Sequence, residues 1–127
     1  MPGEFPGRDH QASGRLGEDL VLARLEEHGF ELLGRNFRVS GIELDLVLLR
    51  EERVLVVEVK SRLWPAHPED CFRDWQRGRL HRALPPLARA LNRALERMDL
   101  VLAAVQFHPL REPEICFFRI PLEPRAT

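Results

Sequence analysis

The lysine of this chain is the residue whose type and position most suggest chemistry. Eighteen of the nineteen basic residues are Arg, and the single Lys ends the triplet Glu58-Val59-Lys60. An ammonium group can orient or release a proton, whereas a guanidinium stays protonated at every accessible pH. A bias toward Arg explains the missing lysines but not where the one Lys lies. We therefore predict that Lys60 takes part in a reaction, with Glu58 and Asp45 as partners.

A β-hairpin would bring Asp45 and Glu58 together. The apolar runs Ile42–Leu49 and Val54–Ser61 flank the charged segment Arg50–Arg53, a pattern typical of two strands joined by a four-residue loop. Pairing that is symmetric about this loop places Asp45 opposite Glu58. Opposed carboxylates lie about 5 Å apart at Cβ and repel each other. Because this repulsion raises a carboxylate pKa and destabilises the pair, the pattern favours a divalent metal ion between the two acids.

The same pairing predicts what each face of the hairpin carries. Side chains alternate between the two faces of a strand, so Glu43 and Lys60 would lie opposite each other on the face of the two acids. For Glu43, a plain cross-strand ion pair with Lys60 is the alternative to a role in the site. The other face would be the core side, formed by Leu44, Leu46, Leu48, Leu55, Val57 and Val59.

Two helices are predicted on either side of this hairpin in the chain. Ser13 is the expected N-cap of a first helix that is terminated by Gly29, because these residue types favour helix starts and ends. A stripe of leucines between Asp70 and Leu95 predicts a second helix, which Pro85-Pro86 would kink or divide into two collinear helices.

The order of all elements predicts a single α/β domain over residues 13–122. Helices and strands follow one another as α-β-β-β-α-β-β, which indicates a mixed central sheet flanked by helices. The segments 1–12 and 123–127 would be flexible tails. Besides the hairpin, strands are expected at Phe30–Val39, Met98–Phe107 and Ile115–Ile120.

The charge of the chain restricts how it could bind nucleic acid. The 127 residues have a formal net charge of -1 and a pI near 6.5, so the attraction would have to come from a local basic surface. For a stretch rich in arginines, the alternative interpretation is an ordinary solvated helix face in an Arg-rich protein. Between Trp75 and Leu95 the chain has no acid and five arginines, which are Arg77, Arg79, Arg82, Arg89 and Arg93.

The cysteines and the apolar runs indicate where the protein resides. Cys71 and Cys116 have no CxxC partner, so free thiols in a reducing compartment are expected. The first seven residues lack the basic start and apolar core of a signal peptide. The longest apolar run, Leu100–Val105, is far too short to cross a bilayer. We expect a cytoplasmic protein with no membrane partner.

Five short sequence blocks, which follow one another along the chain, resemble those of a known family. A helix carrying Glu18, a strand carrying Asp45 and a strand carrying Glu58-Val59-Lys60 resemble the PD-(D/E)XK nuclease fold in its Holliday-junction-resolvase-like branch. More narrowly, the blocks are similar to the bacterial YraN-like family, from about Gly14 to Ile120. The resemblance implies a restriction-endonuclease-like αβββαβ core. The blocks are Gly17-Glu18, Gly34–Arg38, Glu43–Leu46, Val57–Arg62 and Arg97–Val101.

This resemblance implies a Mg²⁺-dependent endonuclease that acts on DNA, branched or damaged DNA in repair or recombination being the expected substrate. Asp45, Glu58 and the Val59 carbonyl would ligate the ion, and Mn²⁺ would substitute for Mg²⁺. Lys60 would orient or deprotonate the attacking water, or stabilise developing charge. Glu18 would hold a water of the metal or a second ion. Resolvase-like relatives often act as dimers, so the resemblance also implies a homodimer.

Several alternatives stay open at this stage. A module that binds nucleic acid without cleaving it, or a protein-interaction scaffold, could share the same fold. Glu18 could be an ordinary acid near a helix N-terminus, and Trp64 could pack rather than stack on bases. Arg62, Arg77 and Arg79 are candidates for contacts to phosphates, with solvation at the surface as the alternative.

Overall fold

A five-stranded mixed sheet between two helices forms the described part of the chain. The structure is a computed structural model that describes residues 10–70 and 77–122. The sequence folds there into one α/β domain, as predicted. Its elements are α1 (His10–Glu27), β1 (Glu31–Val39), β2 (Ile42–Arg50), β3 (Arg53–Leu63), α2 (Arg77–Leu91), β4 (Met98–Phe107) and β5 (Glu114–Ile120), with a 3₁₀ turn at Leu95–Arg97 before β4.

The strands lie in the sheet in the same order as in the chain, β1-β2-β3-β4-β5. The β3–β4 pair is parallel and the other three pairs are antiparallel. A parallel pair needs a long crossover connection, and α2 provides the described part of it. β3 is thus the central strand, flanked by β2 on one side and β4 on the other.

Each face of the sheet packs on one helix. On one face, Val47, Val56, Leu100 and Leu102 are buried against the leucine stripe of α2. On the other, the side chains of α1 cover a second apolar cluster, formed by Val21, Leu25, Leu46, Leu48, Leu55, Val57, Val101, Ala103, Val105 and Phe107. The alternation of side chains along β3 and β4 produces both clusters from the same strands.

The first helix starts earlier than predicted, and the second takes one of its two predicted forms. Ser13 is not the N-cap, because α1 begins at His10 and Ser13 lies inside the helix; the predicted stop is confirmed, since α1 ends at Glu27 and Gly29 has a φ of 89°. Of the two predicted forms, α2 takes that of a single helix, since its described part runs through Pro85 and Pro86. Its apolar stripe is buried on both sides of the prolines, so packing on the sheet keeps it continuous.

The hairpin turn is tighter than the predicted four-residue loop. Arg50 and Arg53 pair with each other, which leaves Glu51 and Glu52 as the turn. Glu51 has a φ of 57°, in the left-handed region that two-residue hairpin turns require. β3 also continues to Leu63, two residues beyond the predicted strand end at Ser61.

Some expectations concern residues that the structure does not describe. The predicted flexible tails fall largely on residues 1–9 and 123–127, and Cys71 lies in the other gap, at residues 71–76. Cys116 is a free thiol, as predicted. No helix in the described ranges is both long and apolar enough to span a membrane.

Candidate active site

The β2–β3 pairing follows the predicted register up to the acids and then ends. Leu49↔Val54, Val47↔Val56 and Leu46↔Val57 pair as the symmetric hairpin requires. In the described register, the expected pairs Asp45↔Glu58 and Glu43↔Lys60 are not formed. The Asp45 carboxylate instead bonds to the main chain of β3, where its Oδ2 accepts a hydrogen bond from the Val59 amide at 2.8 Å.

Alternation along β2 also breaks at Asp45. Leu44 packs in the α2 cluster with Val47, not with Leu46 and Leu48 in the α1 cluster as predicted. The break faces Asn36 of β1, which has a φ of 50° and lies between two residues that pair with Leu46 and Leu44. A local irregularity of β1 and β2 therefore turns the Asp45 side chain toward the main chain of β3, as bulges next to functional sites do.

Glu58 is a buried carboxylate with an unusual environment. The residue is 7% exposed, and among the described residues its Oε1 has no hydrogen-bond partner. Its Oε2 lies 4.0 Å from Lys60 Nζ and 3.8 Å from Arg79 Nη2. Burial, and then repulsion by Asp45, raise the pKa of Glu58 from 4.5 to about 8, although Lys60 and Arg79 oppose the rise.

Asp45 and Glu58 behave as one acid pair. Burial raises the pKa of Asp45, while the Val59 amide and the Lys60 ammonium oppose the rise. A hydrogen bond between the two carboxyl groups lowers the pKa of Asp45 and raises that of Glu58, so the two carboxyls titrate as one pair. Asp45 repels an ionised Glu58 and so raises the pKa of Glu58. This is the charge repulsion that the sequence predicted.

Glu18 approaches this pair from α1. Burial and then the charge of Asp45 raise the pKa of Glu18. The close packing of α1 on β3 depends on Gly17, since a Cβ at that position would collide with Ser61 Oγ. α1 begins at His10, so Glu18 lies in mid-helix, and the interpretation of Glu18 as an ordinary acid near a helix N-terminus is wrong.

Arg35 is a member of the site that sequence reasoning missed. Its guanidinium bridges two neighbouring acids of α1, with Nη2 at 3.3 Å from Glu18 Oε1 and Nη1 at 2.8 Å from Asp19 Oδ1. The block Gly34–Arg38 was one of the family blocks, and that was the available signal. Arg35 therefore fixes the Glu18 carboxylate from the side of β1.

The three arginines predicted to contact phosphates differ in position. Arg79 lies beside the site through its contact with Glu58, and its side chain is 34% exposed. Arg62 is half-buried, and its Nη1 donates to the Ser61 carbonyl at 3.1 Å. Arg77 begins α2, and its side chain is outside the described part.

Asp45 and Glu58 are suited to hold Mg²⁺ but do not form a complete cage. Within residues 10–70 and 77–122, no three His, Cys, Asp or Glu side chains are grouped so as to hold a metal ion. Mg²⁺ is usually bound by one or two carboxylates together with waters and substrate phosphate oxygens. An acid pair with a buried, donor-free oxygen fits that donor set. The Val59 carbonyl as a further ligand stays a prediction.

Helices on both faces of a mixed sheet, with an acid pair and a lysine on adjacent central strands, define a PD-(D/E)XK nuclease-like protein. The model of the Uncharacterised protein family UPF0102 matches residues 17–103. The chain belongs to this family, the YraN family.

Individual relatives agree with this assignment. A UPF0102 protein of Maricaulis maris is 36% identical over 107 residues, which are 84% of each chain. One of Bacteroides thetaiotaomicron is 43% identical over 54 residues, 42% of this chain and 45% of that protein. One of Synechococcus sp. is 40% identical over 77 residues, 58% of this chain and 64% of that protein. The chain thus spans about half to two thirds of the length of the latter two relatives.

Proposed function

We propose that the protein is a Mg²⁺-dependent endonuclease that hydrolyses phosphodiester bonds in DNA, including branched or damaged DNA. The observation that carries the proposal is the Glu58 carboxylate, buried beside Asp45 with one oxygen that lacks a donor. Such an arrangement destabilises the metal-free protein, and a bound cation would offset this cost. Membership of a nuclease-like family supports the same interpretation.

Asp45 and Glu58 would hold the ion in this mechanism. Mg²⁺ would neutralise charge that develops on the phosphate and favour ionisation of a nearby water. Asp45 is prepared for binding, because the Val59 amide at 2.8 Å already orients its Oδ2. Asp45 therefore needs little reorganisation when a ligand arrives.

Lys60 would position the attacking water and stabilise negative charge on the phosphate. Its Nζ lies 4.0 Å from Glu58 Oε2, and its side chain is 29% exposed, so it reaches both the acid pair and the solvent side. Arg79 is the second cation at Glu58 and is placed to accept a substrate phosphate as its partner instead. Glu18 would hold a water near Asp45, oriented by Arg35.

The test is cleavage of duplex, flap and four-way DNA with Mg²⁺ or Mn²⁺. Lys60→Ala should abolish cleavage, and Lys60→Arg should not restore it, because a guanidinium keeps the charge but not the compact ammonium geometry. Arg93→Ala is the matched control, since Arg93 pairs with Glu52 at 3.8 Å, away from the acids. Cleavage by the wild type that persists in Lys60→Ala would refute the assigned role.

A non-cleaving module that binds nucleic acid is the second candidate. One observation favours it: Glu18 is already paired with Arg35, and Glu58 with Arg79. This candidate predicts binding that weakens steeply with salt, no cleavage in any divalent metal, and for Lys60→Ala only the loss of one charge.

A further inference from the structure

An open pocket lies just beyond the C-terminal end of β3. It has a volume of about 380 Å³, and the described residues that line it are Trp64, His108, Pro109, Leu110 and Arg111. Trp64 is 48% exposed and Leu110 is 95% exposed. Adjacent large apolar side chains left in water mark interaction sites more often than defects of a core. Arg111 is the one charged residue among these five.

The exposed indole is held in place. The Trp64 amide donates a hydrogen bond to the Phe107 carbonyl at 2.8 Å, which continues the contact between β3 and β4 by one residue. The Trp64 ring lies 5.6 Å from the His108 ring, centroid to centroid, at an interplanar angle of 37°. Because His108 is itself 7% exposed, it supports the indole from the protein side. The main chain of Trp64 and one side of its ring are therefore supported by the protein before any ligand binds.

The pocket lies on the C-terminal side of the acid pair along β3. Lys60 and Trp64 are four residues apart on β3 and its continuation, roughly 13 Å at the rise of an extended strand. Successive nucleotides of one strand in a duplex are about 3.4 Å apart, so roughly four nucleotides span this distance. A strand that passes the candidate active site can thus reach Trp64.

We propose that this pocket stacks an unpaired nucleobase of the substrate strand, so that the substrate class is DNA with unpaired nucleotides next to the cleaved bond. The proposal rests on the proposed nuclease function. A base inside a continuous duplex is covered by its neighbours, whereas an unpaired base offers its face to an aromatic side chain. Arg111 at the rim supplies a positive charge for the adjoining phosphate. Flaps and forks meet this description and uninterrupted duplex does not.

The experiment compares binding of a flap and of a matched uninterrupted duplex at one fixed salt concentration. Asp45→Asn is the common background, so that Mg²⁺ can be present without cleavage. Trp64→Ala should lower the affinity for the flap, relative to the duplex, by roughly tenfold or more. Trp64→Phe should keep most of the preference, because it retains a stacking ring. Phe117→Leu is the matched control, since Phe117 is an exposed aromatic, at 39%, outside this pocket.

A direct readout does not depend on the stability of the alanine variant. In a Trp75→Phe background, Trp64 is the only remaining tryptophan, and the flap should quench its emission more than the duplex does. Flap binding with this quenching, together with no cleavage by the protein that retains Asp45, would support the stacking site and refute the proposed nuclease function. Equal affinity loss for flap and duplex in Trp64→Ala would overturn the stacking site alone.

Two further outcomes would also overturn the stacking site. A wild type that binds no nucleic acid would remove it together with the proposed function. A shift of Trp64 emission with protein concentration alone, unaffected by the flap, would instead assign this surface to a second copy of the chain.

Discussion

Replacement of Glu58 by Gln should stabilise the metal-free protein at neutral pH. Gln resembles the protonated acid, which is the form that burial and Asp45 favour in the folded state. In the unfolded chain Glu58 has its ordinary pKa of 4.5, and in the folded protein its pKa is about 8. The folded state therefore holds a proton that the unfolded state has lost over this pH range.

The sign and size of the effect follow from this difference. Below the ordinary pKa both states are protonated, and Glu58 adds no penalty to folding. As the pH rises through the folded pKa of about 8, the penalty grows to a limit of about 5 kcal/mol, and at neutral pH it is about 3 kcal/mol, because each tenfold change in proton affinity corresponds to about 1.4 kcal/mol. Glu58→Gln should recover up to this amount.

Urea unfolding in EDTA at acidic, neutral and mildly alkaline pH measures this prediction. The free energies of unfolding of wild type and Glu58→Gln should agree in acid and diverge as the pH rises. Glu31→Gln is the control, because Glu31 is an exposed acid at the start of β1. A Glu58→Gln protein that is less stable than wild type at neutral pH, or a difference independent of pH, would refute the argument that Glu58 is a destabilised acid.

Other changes test the packing and the ion pairs. Gly17→Ala should destabilise the protein by roughly 1–3 kcal/mol in urea unfolding, because the new Cβ meets Ser61 Oγ. Gly14→Ala should instead raise stability by up to about 1 kcal/mol, since nothing lies near its Cβ. Equal effects of the two substitutions would contradict the close approach of α1 to β3. Asp45→Asn should abolish a Mg²⁺-induced rise in Tm seen with wild type, and a retained rise would place the ion elsewhere. Arg53 and Arg119 lower the pKa of Asp99, Arg53 contributing most, so this carboxylate adds stability above its ordinary pKa of 3.8 that is lost as the pH falls through the folded value. Asp99→Asn should therefore cost roughly 0.5–1 kcal/mol at neutral pH, because both arginines are largely exposed to solvent, and little in strong acid. A cost unchanged by acid would contradict the ion pairs.

The local pattern of the sequence was sufficient to predict most of the elements and the hairpin register. Strand periodicity of two and a charged turn define which residues of β2 and β3 pair, as Leu46↔Val57 to Arg50↔Arg53 confirm. These features depend only on neighbours in the chain, so the sequence contains them directly. The position of Lys60 beside the two acids of the hairpin could be predicted for the same reason.

The geometry of the site depends on contacts that periodicity does not encode. The irregularity at Asp45 arises where β1 pairs with β2, and it directs the carboxylate to the Val59 amide instead of to a position opposite Glu58. Arg35 of β1 contacts Glu18, and Arg79 of α2 contacts Glu58, so each arginine comes from a different element of the chain than its acid. The sequence by itself thus determined which acids and which amine are available. Only the tertiary structure decided which oxygen is buried, which is paired and which is left for a ligand, because burial and pairing are properties of the packed elements.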